Sequence, residues 1–360
     1  MTLPDKIYFR VDAGLQIGSG HVMRCLALAS AFENLGLKSE FLCRAHEGNL
    51  ISLIRQSGFP VTELAVARES TAGCSEYESW LGANVLADAE DSISAMLWGG
   101  RVWVVADHYG IDERWEQAVS GRAGRIIVID DLANRAHQCD FLVDSSYKRT
   151  ATDYINLVPP DCQVLAGTRY CLLRAEFSEF RQRVLPRLFN MPPRHILVSL
   201  GGIDRRNFTS LIIDELETTQ LPDSVKVDVV IGHASPYREM LEERSRSSRL
   251  CVSINQGVND MARRLVSADI CVGAVGSSVW ERCCLGCPSF VAILADNQKE
   301  GAQKLQSDGV VQTFSPTARG ELRALVDGVA RLTMQHLSEN GRRLVDGLGV
   351  QRVVKAILEQ

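Results

Sequence analysis

Short unbroken runs of apolar and β-branched residues recur along this chain, separated by stretches in which apolar residues return every three or four positions. The runs in the first half lie at Lys6–Val11, Glu40–Cys43, Val102–Ala106, Arg125–Ile129, Phe141–Val143 and Gln163–Leu165. Those in the second half lie at His195–Leu200, Val225–Ile231, Leu250–Ile254, Ile270–Val272 and Ser289–Leu294. A strand that is apolar throughout, rather than on alternate residues, is one covered on both faces, as strands of helix-flanked parallel sheets are. The alternation of such strands with helical stretches predicts an α/β fold with mostly parallel sheets. The clearest helix follows the first strand: Val22, Cys25, Leu26, Ala29 and Phe32 share one face, and Gly36 supplies its stop.

The pattern breaks between Arg183 and Arg194, where Pro186, Pro192 and Pro193 interrupt any helix, and a fresh strand begins at His195. This predicts a first domain over residues 1–190 and a second over 191–360. The terminal segment Gly320–Gln360 is helical in character, and its last helix is free to pack back on the first domain. A chain of 360 residues is long enough for two cores. Two such domains leave a cleft at the carboxyl ends of their strands, where ligands of open α/β sheets bind.

Charge and cysteine content narrow the partners. With 39 basic against 44 acidic residues the net charge is −5, so no broad positive field collects nucleic acid and any anion must be held locally. The first residues lack the charged-then-apolar order of a signal peptide, and no run reaches the ~18 apolar residues of a spanning helix, so the expectation is a cytoplasmic protein without stable membrane association. Eleven cysteines, an odd number set mostly in apolar surroundings, point to reduced thiols used as small hydrophobes. Cys284 and Cys287 have the spacing of half a metal motif, but no second pair completes it.

Chemistry concentrates in two glycine-rich turns. Gly18-Ser19-Gly20-His21 follows a predicted strand and opens a helix, yet it lacks the Lys-Ser/Thr ending of a P-loop, and Met23 stands where a dinucleotide fingerprint needs its third glycine. What remains is a turn whose glycines admit a ligand close to the backbone and whose His21, kept neutral by the helix end, is a candidate general base; a plain capping histidine is the rival reading. Gly276-Ser277-Ser278 opens a second helix, so that N–H groups and hydroxyls converge where a diphosphate would sit. Glu281, three residues beyond Ser278, is either half of a capping box or an acceptor for a ribose diol. The stretch Ser199-Leu-Gly-Gly202 and the run Asp296-Asn297-Gln298 also stand at strand carboxyl ends, as do Asp107-His108-Tyr109 and Asp130-Asp131.

Taken together, Arg10-Val-Asp12, Gly18-Ser-Gly-His21-Val-Met-Arg24, Asp107-His-Tyr-Gly-Ile-Asp112, Asp130-Asp131-Leu-Ala and Tyr170-Cys-Leu-Leu-Arg174-Ala-Glu-Phe177 resemble the UDP-sugar hydrolase family of the pseudaminic acid pathway. That family cleaves UDP-2,4-diacetamido-2,4,6-trideoxy-β-L-altropyranose. The second half, from Ser199 to Gln298, also resembles the nucleotide-binding half of the N-acetylglucosaminyltransferase that makes lipid II. The resemblance implies a GT-B-like fold of two Rossmann-like domains separated by a cleft. It implies His21 as the base, UDP on the second domain with Glu281 near the ribose and Gly276, Ser277 and Ser278 near the diphosphate, and Asn297 as a further substrate contact; Gly18, Gly20, Gly202 and Gln298 complete the candidate substrate-binding residues. Hydrolysis would proceed by water attack at the anomeric carbon with inversion. No Asp-x-Asp pair occurs, so neither a metal nor another cofactor is expected. The rival readings are a glycosyltransferase on the same scaffold, with an acceptor hydroxyl in place of water, and a UDP-sugar-binding protein without turnover.

Overall fold

The computed structural model describes the chain apart from residues 1–2, 67–75, 97–99, 185, 186, 188, 190, 203, 234, 295 and 360, and apart from the side chains of residues 76, 296 and 297. It forms two compact units, one of residues 1–174 and 348–360, the other of residues 175–347. Each is a parallel sheet flanked by helices, and together they make a GT-B fold of two Rossmann-like domains.

In the first unit the strands are β1 (Lys6–Val11), β2 (Ser39–Arg44), β3 (Val61–Leu64), β4 (Val102–Asp107), β5 (Arg125–Ile129), β6 (Phe141–Asp144) and β7 (Gln163–Ala166). They pair in the order β3-β2-β1-β4-β5-β6-β7, all parallel. Successive residues of β1 point to opposite faces, and both faces are covered, which is why its sequence shows no polar alternation. Ile7, Phe9 and Val11 pack with Cys25, Leu28 and Phe32 of the helix Gly20–Glu33 and with Val353 and Ile357 of the helix Gly349–Glu359. Tyr8 packs on the other side with Leu42, Val104, Ala89 and Trp115.

The second unit repeats the arrangement with β8 (His195–Ser199), β9 (Lys226–Ile231), β10 (Cys251–Gln256), β11 (Ile270–Ala274), β12 (Ser289–Ala292) and β13 (Gln312–Phe314), in the order β10-β9-β8-β11-β12-β13. Its core gathers Ile196, Val198, Val227, Val229, Val272 and Phe290 under Ile212, Leu216, Leu322 and Leu337. In each sheet the strand order reverses beside the first strand, at β1/β4 and at β8/β11, and the crevice above such a reversal is where α/β sheets hold ligands.

The division differs from a boundary at residue 190. The helix Ala175–Arg183 belongs to the second unit, where it packs on the helices Met261–Ser267 and Ser278–Cys284 and Arg181 donates to the carbonyls of Cys284 at 2.7 Å and Arg342 at 2.8 Å. The last helix returns to the first unit, where Arg125 donates to the Ile357 carbonyl at 2.6 Å. Pro192 and Pro193 lie inside the second unit, downstream of the point where the chain passes between cores, and Pro186 lies outside the described residues.

The first unit buries charge as well as apolar surface. Arg10 and Arg44, both fully buried, converge on the Asp88 carboxylate: Arg10 donates through Nε at 2.9 Å and Nη2 at 2.7 Å, and Arg44 through Nε at 2.8 Å. Trp115 Nε1 adds a fourth bond at 2.9 Å, and Arg10 Nη1 also meets Asp12 at 2.8 Å. Removing one partner of a buried ion pair strands the others without solvent. Asp88→Ala is therefore expected to destabilise the first unit by about 3–5 kcal/mol. Urea unfolding followed by Trp fluorescence checks it; a loss below about 1 kcal/mol, the range of an exposed pair, would show that the cluster is not coupled to folding.

Candidate active site

The turn after β1 carries His21 into the first turn of the helix Gly20–Glu33. Gly18 adopts φ +85°, a left-handed conformation that L side chains resist, and its N–H bonds back to the Gly14 carbonyl at 2.8 Å, closing a tight loop before the helix. His21 is buried, 6% exposed, and its Nδ1 lies 2.5 Å from Asp107 Oδ1 at the end of β4. Register places that carboxylate, because Asp107 pairs with Val11 at the last position of the β1–β4 ladder.

Asp107 is fully buried and doubly gripped by Arg24, which donates from Nε to Oδ2 and from Nη2 to Oδ1, each at 2.6 Å. Burial alone would raise the Asp107 carboxyl, but the charge of Arg24, with the hydrogen bonds from Arg24 and His21, overcomes it and holds the group well below the usual carboxylate range. An ionised carboxylate only accepts hydrogen bonds, so His21 Nδ1 must carry the proton, which leaves Nε2 as the basic nitrogen of the neutral ring. Arg24 extends the network to Asp131, Nη1 to Oδ2 at 3.0 Å, and the Tyr109 hydroxyl donates to the other Asp131 oxygen at 2.6 Å. The Tyr109 ring meets His21 edge-on with centroids 4.7 Å apart, and Tyr77 packs on Tyr109 at 5.2 Å. Burial, reinforced by Asp131, pushes the Tyr109 phenol well above its ordinary value, so it remains a donor.

Beside this network Asp12 accepts from the Arg44 backbone N–H at 2.7 Å, and its Oδ2 lies 3.6 Å from His46 Nε2 and 3.8 Å from His108 Nε2. His108 Nδ1 accepts from the Gly110 N–H at 2.9 Å, which puts the proton of the neutral ring on Nε2, toward Asp12. Burial lowers the His108 pKa to about 3, with Asp12 opposing.

The remaining predicted site residues lie in the second unit. Gly202 follows β8, its carbonyl set against Gly232 at the end of β9. Gly276 and Ser277 are exposed, Ser278 and Glu281 half-buried, and Ser278 begins the helix Ser278–Cys284. Ser277 caps that helix without a side-chain hydrogen bond. Among the described residues, the N–H groups of Gly276, Ser277 and Ser278 make no hydrogen bond. Gln298, on the helix Asp296–Ser307, accepts from the Leu294 N–H at 3.4 Å. The side chain of Asn297 lies outside the described residues.

Sequence spacing singled out His21 but gave no role to Asp107, Arg24, Tyr109 or Asp131, which complete its network. The available signal was the interval from His21 to Arg24, three residues and so one helix face, together with acidic residues at two strand ends. Among the described residues no group of three or more His, Cys, Asp or Glu side chains is arranged to hold a metal ion, and no helix is long and apolar enough to cross a membrane.

Comparison with known proteins bears on this arrangement. No family profile matches the chain. The UDP-2,4-diacetamido-2,4,6-trideoxy-β-L-altropyranose hydrolase of Campylobacter jejuni is 27% identical over 238 residues, 66% of this chain and 73% of the hydrolase. The chain is a relative of this hydrolase. It also matches the spore coat polysaccharide biosynthesis protein SpsG of Bacillus subtilis, 29% identical over 212 residues, 56% of this chain and 60% of that protein. Among solved structures, MurG of Acinetobacter baumannii superposes with a TM-score of 0.65 over 99% of this chain and 100% of its own, at 14% identity, a likeness of fold.

Two measurements follow from the ring geometry. In ¹⁵N NMR of the labelled protein, neutral His21 is expected as the Nδ1–H tautomer and neutral His108 as Nε2–H; the opposite tautomer at His21 would contradict its bond to Asp107. Because His108 takes up its proton near pH 3 when folded and near the ordinary ~6.5 when unfolded, its contribution is complete above ~6.5 and is lost as pH falls toward 3. His108→Gln is expected to flatten the fall of stability over that window, measured by urea unfolding at several pH values; an unchanged slope would contradict the shift.

Proposed function

We propose that this protein hydrolyses a UDP-sugar, UDP-2,4-diacetamido-2,4,6-trideoxy-β-L-altropyranose, to UDP and the free 2,4-diacetamido-2,4,6-trideoxy-L-altrose, a step in pseudaminic acid biosynthesis. The observation that carries the reading is the 2.5 Å contact between His21 Nδ1 and the buried, arginine-held Asp107 carboxylate. It fixes a histidine with its basic nitrogen turned away from the carboxylate, in a relative of the Campylobacter jejuni hydrolase. A merely structural capping histidine would not need an ionised partner held at such a cost in burial.

In this reading water attacks the anomeric carbon on the face opposite the leaving group, and its proton passes to His21 Nε2. The bond from that carbon to the diphosphate oxygen breaks, and UDP departs with the electron pair. The sugar is released with inverted configuration. Asp107 stabilises the imidazolium that forms, and Arg24 keeps Asp107 ionised and in place. The second unit supplies the nucleotide site: the N–H groups of Gly276, Ser277 and Ser278 and the two serine hydroxyls take the diphosphate, Glu281 the ribose, and Gly202, Asn297 and Gln298 further substrate contacts. UDP is a good leaving group, so this scheme uses no metal and no separate acid.

The test is a proton NMR time course with the purified protein and this UDP-sugar, without acceptor. Early appearance of UDP and the inverted free sugar is expected. Substrate that survives until an acceptor alcohol is added would replace hydrolysis with glycosyl transfer on the same scaffold. His21→Ala should lower kcat by about 10²–10⁴-fold, the usual worth of a positioned base, while UDP affinity stays within about twofold. Asp107→Asn should follow it in the same direction. UDP binding without turnover in the wild-type protein would leave a binding function only.

A further inference from the structure

Arg282 is 1% exposed and among the largest fully buried side chains of the molecule. Its guanidinium lies beneath the turn that joins β11 to the helix Ser278–Cys284, with Nη2 donating to the Ala274 carbonyl at 2.7 Å and Nη1 to the Ser278 hydroxyl oxygen at 3.2 Å. Nε makes no hydrogen bond. Gly273 makes room for it, since a Cβ there would stand 2.5 Å from Nη1 and 2.8 Å from the Ser199 carbonyl. Among the described residues no carboxylate forms an ion pair with this guanidinium, whereas each of the buried arginines of the first unit has at least one.

Nor do the neighbouring thiols neutralise it. Burial pushes Cys271 and Cys283 up to about 12 and raises Cys287 as well, although the charge of Arg282 pulls each the other way. All three remain protonated at neutral pH. A buried cation without a counter-charge costs several kcal/mol, and a fold retains one where something else supplies the negative charge.

We infer that Arg282 is a positioning residue whose counter-charge is the anionic part of the ligand, and that it acts through Ser278. Because Nη1 occupies a lone pair of the Ser278 oxygen, the single hydroxyl proton is left to donate outward from the half-buried serine toward the exposed backbone of Gly276 and Ser277. The buried charge polarises that hydroxyl and attracts a diphosphate, so the site discriminates by ligand charge. Ser278 touches the ligand; Arg282 sets its polarity from below. This inference rests on the proposed diphosphate site at Gly276–Ser278 and adds to it the source of the charge.

The experiment is calorimetric titration of the wild-type protein and Arg282→Gln with UDP, UMP and uridine, with thermal melts beside each. Loss of the buried charge should weaken UDP by about 10- to 100-fold, as for a hydrogen bond to a charged group, weaken UMP less, and leave uridine within about twofold. Equal losses for UDP and uridine would reduce Arg282 to a structural role and overturn the inference, as would an unchanged UDP affinity. Should Arg282→Gln fail to fold, Ser278→Ala and Arg282→Lys take its place. The first keeps the buried charge but removes the relay and should narrow the UDP-to-uridine ratio several-fold; the second keeps the charge and should preserve most of that ratio. A ratio unmoved by Ser278→Ala overturns the inference. A wild-type protein that binds no UDP at all instead overturns the assignment of the nucleotide site itself, which separates the two failures.

Discussion

The first unit is organised around charge that its own sheet removes from water. Arg10, Asp12, Arg24, Arg44, Asp88 and Asp107, all buried, stand at the carboxyl ends of β1, β2 and β4 or on the helices beside them. Each cation meets a carboxylate within 3 Å, so the desolvation cost is offset pair by pair. Pairing also fixes direction. Arg24 can reach both oxygens of Asp107 only from the helix face it shares with His21, so the same arginine that neutralises the carboxylate sets the distance from which the carboxylate orients the imidazole. Stability and the proposed chemistry thus draw on one set of contacts.

This explains what could be read from residues alone. β1, β4, β5 and β8 were legible because strands covered on both faces are apolar throughout, as the opposite packing of Tyr8 and Phe9 shows. β3, with Thr62 and Glu63, and β13, with Gln312 and Thr313, were not. Both are edge strands with a polar composition that burial does not forbid. The passage between units was misplaced because prolines are strong local punctuation, whereas a unit is defined by which helices pack together. The helix Ala175–Arg183 joins its core through Arg181 and contacts some 100 residues away along the chain, and no local signal reports them.

The site shows the same split between local and distant information. His21 was visible because glycines on either side of Ser19 announce a turn with a demand on backbone geometry. Its partner Asp107 lies 86 positions on, and Asp131 lies 107 positions beyond Arg24. Either acidic residue read alone is as well explained by a turn. Only the register of β1 against β4, ending on Val11 and Asp107, turns a common residue type into an oriented partner. The motif as a whole was recognisable by resemblance before the role of any one member could be argued.

The two units share a strand order and differ in how they treat buried arginine, a difference that suits the roles proposed for them. A unit that must hold a base in one tautomer benefits from charges that are balanced internally, because an unbalanced field would shift with every ligand that enters. A unit that must hold an anion benefits from the reverse. Among the described residues Arg282, buried beneath the turn at Gly276, has a carbonyl and a hydroxyl as acceptors and no carboxylate, and we infer that its charge is met by the ligand. Duplicate topology therefore does not imply duplicate chemistry: among the described residues, the strand reversal at β1/β4 presents a network of paired charges, and the one at β8/β11 an arginine without a carboxylate partner.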